Sequence, residues 1–234
     1  MTGRTSRSDT FGSIKSWLRR NRVLWHLSGC PYRAPRWERA VRRVLEGIGD
    51  GLALEIGSGN RRLARNVVNL DIELFPNVDV VADGARLPFK DETFDAVICE
   101  AVLEHVPEPH LIVEEIRRVL KKGGYACAAV PFIQGFHASP GDYRRFTAAG
   151  LERLFEGFER VEGGPCVGPA SALHWVFREF IGIALSFGSF WLGKAISLAV
   201  GWLTFPIVAL DPLLLKLPNS HIICSAVYFI GRKR

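Results

Sequence analysis

Three carboxylates mark where this 234-residue sequence can do chemistry: Glu55, Asp71 and Asp83. They lie at the ends of three successive apolar segments, 52–56, 67–71 and 78–83. The first segment runs into Glu55-Ile56-Gly57-Ser58-Gly59, where glycines let a ligand come close to the backbone. Asp71 can accept from both hydroxyls of a vicinal diol, and Asp83 from an exocyclic amine. Leu87-Pro88-Phe89 then offers apolar surface to a flat ring. A dinucleotide turn would carry a third glycine at position 62, where a pyrophosphate meets a helix N-terminus. Here that residue is Arg62, and Glu55 would repel a pyrophosphate. The set therefore suits a ligand without phosphate that carries hydroxyl and cationic groups. Each acid alone also reads as a helix N-cap or a solvated strand end; their repetition argues for a ligand.

A second group lies further along the chain. Residues 137–147 place His137, Asp142, Tyr143, Arg144 and Arg145 within eleven positions, just after Pro131-Phe132. Asp142, Tyr143 and Arg144 can hold an anionic or sugar-like acceptor, with His137 as a general base. The same stretch reads equally as a solvated loop leading into a helix N-capped by Thr147. Glu104-His105 supplies another candidate base, and His105 also reads as a capping or packing histidine. The five cysteines (30, 99, 127, 166 and 224) are scattered without a CxxC pair. They form neither a disulfide framework nor a zinc set and suit a reducing compartment. No metal site is expected.

These residues need a frame to position them. Short apolar runs at 52–56, 67–71, 78–83, 94–99, 125–130, 158–161 and 222–230 read as strands. Apolar residues at 111, 112, 116, 119 and 120 have helical spacing, closed by Gly123-Gly124, and 151–155 reads as a short helix. The fold class is α/β, a Rossmann-like and mostly parallel seven-stranded sheet with helices on both faces. An apolar helical insertion, 168–218, precedes the last strand. The domain is expected over 49–234, after a basic arm and helix at 1–48. That arm holds eleven Arg/Lys against three Asp/Glu, +8, while the rest of the chain sums to −2 against an overall +6. The fold itself is thus no polycation, and no nucleic-acid partner is expected.

The joint pattern resembles class I S-adenosylmethionine-dependent methyltransferases of the methyltransferase type 11 group. It is carried by Leu54 to Gly59, Asp71, Ala82-Asp83-Gly84-Ala85-Arg86-Leu87-Pro88-Phe89, Phe94 to His105 and Leu120 to Gly124, across roughly half the chain. The resemblance implies S-adenosylmethionine as cofactor. It implies Glu55, Gly57 and Gly59 around the methionine part, Asp71 on the ribose and Asp83 with the Gly84 amide on the adenine. Glu100 and Ala101 would border the sulfonium. One departure is plain: Asn60 to Asn66 leaves room for about two helical turns at most before the second strand, where relatives have a full helix.

The insertion carries no charge over 180–193 or 195–210, with Lys194 between. Each half is shorter than the roughly 20 apolar residues of a span. Flanking strands of one sheet must share one side of a membrane, which excludes an odd number of crossings. A shallow hairpin, an interfacial helix pair or a lid remains, as does a buried layer or a dimer interface. In the arm, Phe11, Ile14, Leu18 and Trp25 share a helical face among Lys15, Arg19, Arg20 and Arg22, a pattern suited to anionic lipid. No secretory signal is read, because the apolar run Val23 to Leu27 before Cys30 is far too short. The expectation is a cytoplasmic methyltransferase, peripheral at the inner membrane face. Its acceptor would be a small molecule of lipid-linked, isoprenoid or saccharide type, methylated on oxygen. The alternative is a catalytically silent, membrane-docked binding module.

Overall fold

Apolar runs too short for helices, and without polar alternation, belong to strands covered on both faces. The computed structural model describes residues 34–234 and shows this arrangement. Helix α1 (Pro35–Gly47) is followed by β1 (Ala53–Ile56), β2 (Val67–Asp71), β3 (Val80–Val81) and β4 (Phe94–Glu100). Helix α2 (Pro109–Val119), β5 (Leu120–Pro131), α3 (Ala148–Leu154) and β6 (Phe158–Val167) come next. The insertion holds α4 (Pro169–Ala184), α5 (Phe190–Thr204) and the short α6 (Asp211–Leu214), and β7 (Ala226–Lys233) ends the fold.

The seven strands form one sheet in the order β3-β2-β1-β4-β5-β7-β6. The first five are parallel, and β7 runs antiparallel to both neighbours. On one face Leu54, Ile56, Leu70 and Val97 pack with Ile112 and Ile116 of α2 and with Leu151 and Phe155. On the other, Ala53, Val67, Ala96 and Ile98 meet α1. Helix α1 buries Trp37, Ala40, Val41 and Val44, one stripe at helical spacing. Thr147 caps α3, its side chain accepting from the Gly150 amide, as the sequence suggested. The basic-arm helix expected around Phe11 to Trp25 lies outside the described residues.

Between β1 and β2 the chain forms no helix, even a short one. Polar side chains satisfy the backbone there instead. Asn69 donates to the Arg61 and Asn77 carbonyls, and Arg62 donates to the Val67 and Asn77 carbonyls and to Asp79. Asp79 accepts the Asn69 amide in turn, and β3 is left as a two-residue edge strand.

The insertion is a helical hairpin tied to the sheet at its base. Asp211 is buried and accepts from the amides of Gly168, Ala170 and Ser171 and from the Ser171 hydroxyl. It thereby satisfies the open N–H groups that begin α4. Helices α4 and α5 run antiparallel and approach closely at small residues. A Cβ on Gly182 would lie 2.7 Å from the Gly193 carbonyl and 2.9 Å from the Ser197 Cβ. Lys194 is not isolated, since it pairs with Glu179 at 2.9 Å. The helical run Phe190–Leu214 is, among the described residues, long and apolar enough to cross a membrane by length and composition. Only 17% of its most apolar window is buried. Phe180, Ile183, Phe187, Trp191 and Leu203 stand between 63% and 90% exposed.

Candidate active site

In an open parallel sheet, ligands bind beyond the carboxyl ends of the strands where the strand order reverses, here between β1 and β4. The turn after β1 is built for close approach. Gly57 and Gly59 have φ of +72° and +54°, which L-residues adopt at a cost of roughly 1–2 kcal/mol. Their surroundings differ. A Cβ on Gly57 would lie 2.3 Å from Val102 Cγ2, whereas Gly59 faces open space. Gly57 is thus required by packing, and Gly59 leaves its backbone approachable. The Gly57 and Ser58 amides both donate to the Leu70 carbonyl and fix the turn against β2.

Glu55 is completely buried beside this turn. Arg61 pairs with it and also reaches Glu100 at 2.6 Å, so one guanidinium bridges the ends of β1 and β4. Burial pushes the Glu55 carboxyl up to about 7, against the pull of Arg61. Arg61 was not among the expected site residues; its one sequence signal is its place two residues past Gly59. Glu55 Oε2 and Ser58 Oγ are buried with no hydrogen-bond partner among the described residues. They are groups that a polar ligand could satisfy. A cavity of about 450 Å3 opens between α1 and the 61–66 loop, lined by Trp37, Val41, Leu45, Arg61, Leu63 and Glu100. The cavity adjoins the 61–66 loop, and Arg61 is among its lining residues.

The other acids follow along the same rim. Asp71 accepts from the Gly59 amide at 2.8 Å and the Glu73 amide at 3.0 Å, which leaves lone pairs on both oxygens. Asp83 is exposed and accepts from the Ala85 amide. Gly84 lies so close to the core that a Cβ would stand 3.0 Å from Ile56. Ala101, just past Glu100, holds φ +54°, the left-handed region at the head of β4. Glu55, Gly57, Gly59, Asp71, Asp83, Gly84, Glu100 and Ala101 thus gather along one edge.

The second group gathers beside it, beyond β4 and β5. His105 and His137 stack edge to face with centroids 5.2 Å apart. Glu104 lies beneath them, wholly buried, with Oε1 3.7 Å from His105 Nε2 and 3.9 Å from His137 Nε2. Burial lowers the pKa of His105 and favours the neutral ring. The Asp142 side chain is also buried, and burial alone would raise its pKa. Arg145 on both oxygens and the His137 amide instead hold it down at about 2. Tyr143 is exposed and its amide donates to the Glu104 carbonyl; Arg144 donates to Pro107. Trp175 of α4 packs on His137 at 5.6 Å, and Arg178 lies over the Trp175 ring. No sequence signal joined Trp175 to this site, because 38 residues separate it from His137.

The fold is that of the Rossmann-like class I methyltransferases. Residues 39–128 match the family model described as "Methyltransferase domain". The phosphatidylethanolamine N-methyltransferase of Cereibacter sphaeroides is 36% identical over 96 residues, covering 35% of this chain and 47% of that protein. The chain spans about half the length of the curated relatives it matches. A Thermotoga maritima structure titled a SAM-dependent methyltransferase, possible histamine N-methyltransferase, superposes with a TM-score of 0.57 at 19% identity. It covers 95% of this chain and 99% of that one. A Haemonchus contortus phosphoethanolamine N-methyltransferase in complex with S-adenosyl-L-methionine superposes at 0.53 and 17% identity, covering 98% and 58%. S-adenosylmethionine is the cofactor of this class. The orphaned polar atoms at the glycine turn and the approachable Gly59 fit that molecule's methionine end.

Proposed function

We propose that this chain methylates an oxygen of a lipid-linked, isoprenoid or saccharide-type acceptor while seated peripherally on the cytoplasmic face of a membrane. The observation that carries the reading is the contact of Trp175 with His137. It joins a hairpin with a broad apolar surface to the candidate acceptor side of a methyltransferase site. Exposed apolar patches of this extent mark interaction surfaces. Close packing at Gly182, Gly193 and Ser197 is of the kind that joins helices in lipid. Strands β6 and β7 are neighbours in one sheet and flank the hairpin, which supports a shallow insertion with both ends on one side.

In this reading Glu55 and Glu100 face the cofactor's ammonium, and Arg61 between them meets its carboxylate. Asp71 takes the ribose hydroxyls, and Asp83 with the Gly84 amide takes the adenine. Bound there, S-adenosylmethionine supplies a methyl group on a positively charged sulfur. Glu55, Glu100, Asp71 and Asp83 would hold it so that this methyl group is available to the acceptor oxygen. His137 or His105 takes the hydroxyl proton at Nε2. Asp142 holds the loop that carries His137, and Tyr143 and Arg144 offer the acceptor a hydroxyl and a cation. The chain's main work is alignment and exclusion of water, since the sulfonium already drives the displacement.

Calorimetry with S-adenosylhomocysteine tests the cofactor site, and absence of binding by the intact folded chain defeats it. Gly59→Ala should weaken binding by about tenfold or more, as loss of close backbone approach requires. Flotation with phosphatidylglycerol vesicles tests docking. Retention should fall several-fold in a Phe187→Ser/Trp191→Ser variant; equal retention defeats the membrane reading. The Arg61 bridge favours a second reading, a catalytically silent membrane-docked module, because it already engages Glu55 and Glu100. Cofactor binding without turnover on any membrane lipid or glycan extract would select it.

A further inference from the structure

The cluster of Glu104, His105 and His137 has a feature that proton transfer does not explain. Glu104 is fully buried, yet neither carboxylate oxygen has a hydrogen-bond partner among the described residues. A buried carboxylate without a donor is costly, and native folds rarely retain one without a reason. The two histidine Nε2 atoms lie at 3.7 and 3.9 Å from Oε1, beyond hydrogen-bond range.

The histidine tautomers follow from the opposite ring atoms. His105 Nδ1 lies 2.6 Å from the Gly141 carbonyl, and His137 Nδ1 lies 2.8 Å from the Gly135 carbonyl. A carbonyl only accepts, so each Nδ1 carries the hydrogen, and in the neutral rings that metal binding requires each Nε2 keeps a lone pair. Arg145 also approaches His137 Nδ1, at 3.3 Å, but its guanidinium is already used by Asp142, Gln134 and Gly135. The Arg145–Asp142 pair is neutral as a unit, so it adds little net charge beside the cluster. Three electron-pair donors therefore face one another with no hydrogen between them. Their ligand atoms lie within 4.8 Å of one another.

We propose that Glu104, His105 and His137 form a binding site for a divalent first-row transition ion such as Zn2+, beside the methyl-transfer site. Two imidazoles and one carboxylate are a donor set that such ions take, with positions left open for water or an acceptor oxygen. Imidazole ligands held by an Nδ1–H bond to a backbone carbonyl are the usual supporting arrangement. Ligand-atom separations of 3.7 and 3.9 Å are near what two bonds of about 2 Å to one ion span. The ion would supply the positive charge that Glu104 lacks. It also deepens the proposed function and rests on that reading for its chemical role. With an ion present, His105 and His137 are ligands and not bases. An acceptor hydroxyl on the open position is acidified, and its proton leaves to water. The spacing hid this site, because His137 stands 32 residues beyond His105, past α2 and β5.

The test uses the full chain, freed of metal by chelator, without methyl donor. Titration with Zn2+ should show about one equivalent bound, and Co2+ should develop a visible d–d band at the same stoichiometry. His137→Ala and Glu104→Gln should each weaken Zn2+ binding by roughly 10–100-fold and remove the Co2+ band. Should Glu104→Gln fail to fold, His137→Ala decides alone, since its ring is partly exposed and its unfolding midpoint can be checked. No saturable binding, or wild-type affinity in His137→Ala, overturns the proposal. S-adenosylhomocysteine binding is measured separately, so loss of the metal claim and loss of the methyltransferase claim are distinct results.

Discussion

Glu55 and Glu104 are two fully buried carboxylates on one edge of one sheet, and their surroundings differ. Glu55 is bridged by Arg61, which a loop of the same chain delivers across to Glu100. Glu104 faces two histidine Nε2 atoms at 3.7 and 3.9 Å and has no hydrogen-bond partner among the described residues. The contrast teaches that burial of charge is resolved locally at the first site and left for an outside group at the second. It also separates two kinds of function along the rim. The first site is preorganised by the protein's own ions, and the second is shaped to receive one.

Removing the bridge should have the largest effect. Arg61→Ala puts Glu55 in the position of Glu104, a buried acid without a partner. Loss of a buried pair costs about 3–5 kcal/mol where the acid is ionised, above the Glu55 pKa of about 7, and the half-exposed Arg61 places this case at the low end, ~3 kcal/mol. Urea unfolding measures it; a change below about 1 kcal/mol would mean that Glu55 is neutral in the folded chain.

Asp142 is next. Its pKa of about 2 lies below the ordinary 3.8, so the folded state favours the charged form. The stability it contributes is complete above pH ~4 and is lost as pH falls through about 2. Asp142→Asn should cost ~2 kcal/mol at neutral pH and flatten the acid limb of the stability curve. An unchanged acid limb would separate the His137 loop from this anchor.

The smallest effect sharpens the comparison most. In metal-free protein, Glu104→Gln loses no hydrogen bond to the described residues and replaces an unpaired buried carboxyl with an amide, so stability should rise by ~1 kcal/mol. Thermal unfolding in chelator reads it. A loss of stability there would show that Glu104 already has a partner in the native chain.

Much of this was legible in the residues. Strand identity followed from uninterrupted apolar runs, and β1, β2 and β4 fall where those runs lie. The acidic rim followed from carboxylates at strand ends, because a parallel sheet delivers all such ends to one edge. The run 78–83 predicts a longer strand than the observed β3, Val80–Val81, since Asp79 spends its carboxylate on Asn69 and Arg62. Strand β7 was read too early, because its apolar start at Ile222 lies outside the strand, past the turn Pro218–His221.

The sequence by itself determined the sheet, the glycine turn and the side on which the acids gather, because these depend on local period and on chain direction. Tertiary structure decided the rest. Which arginine bridges Glu55, which histidines surround Glu104 and which tryptophan touches His137 depend on residues distant in sequence whose meeting is set by packing. Short-range pattern carries no term for such meetings, and a buried carboxylate reveals whether it has a partner only once the chain has closed around it.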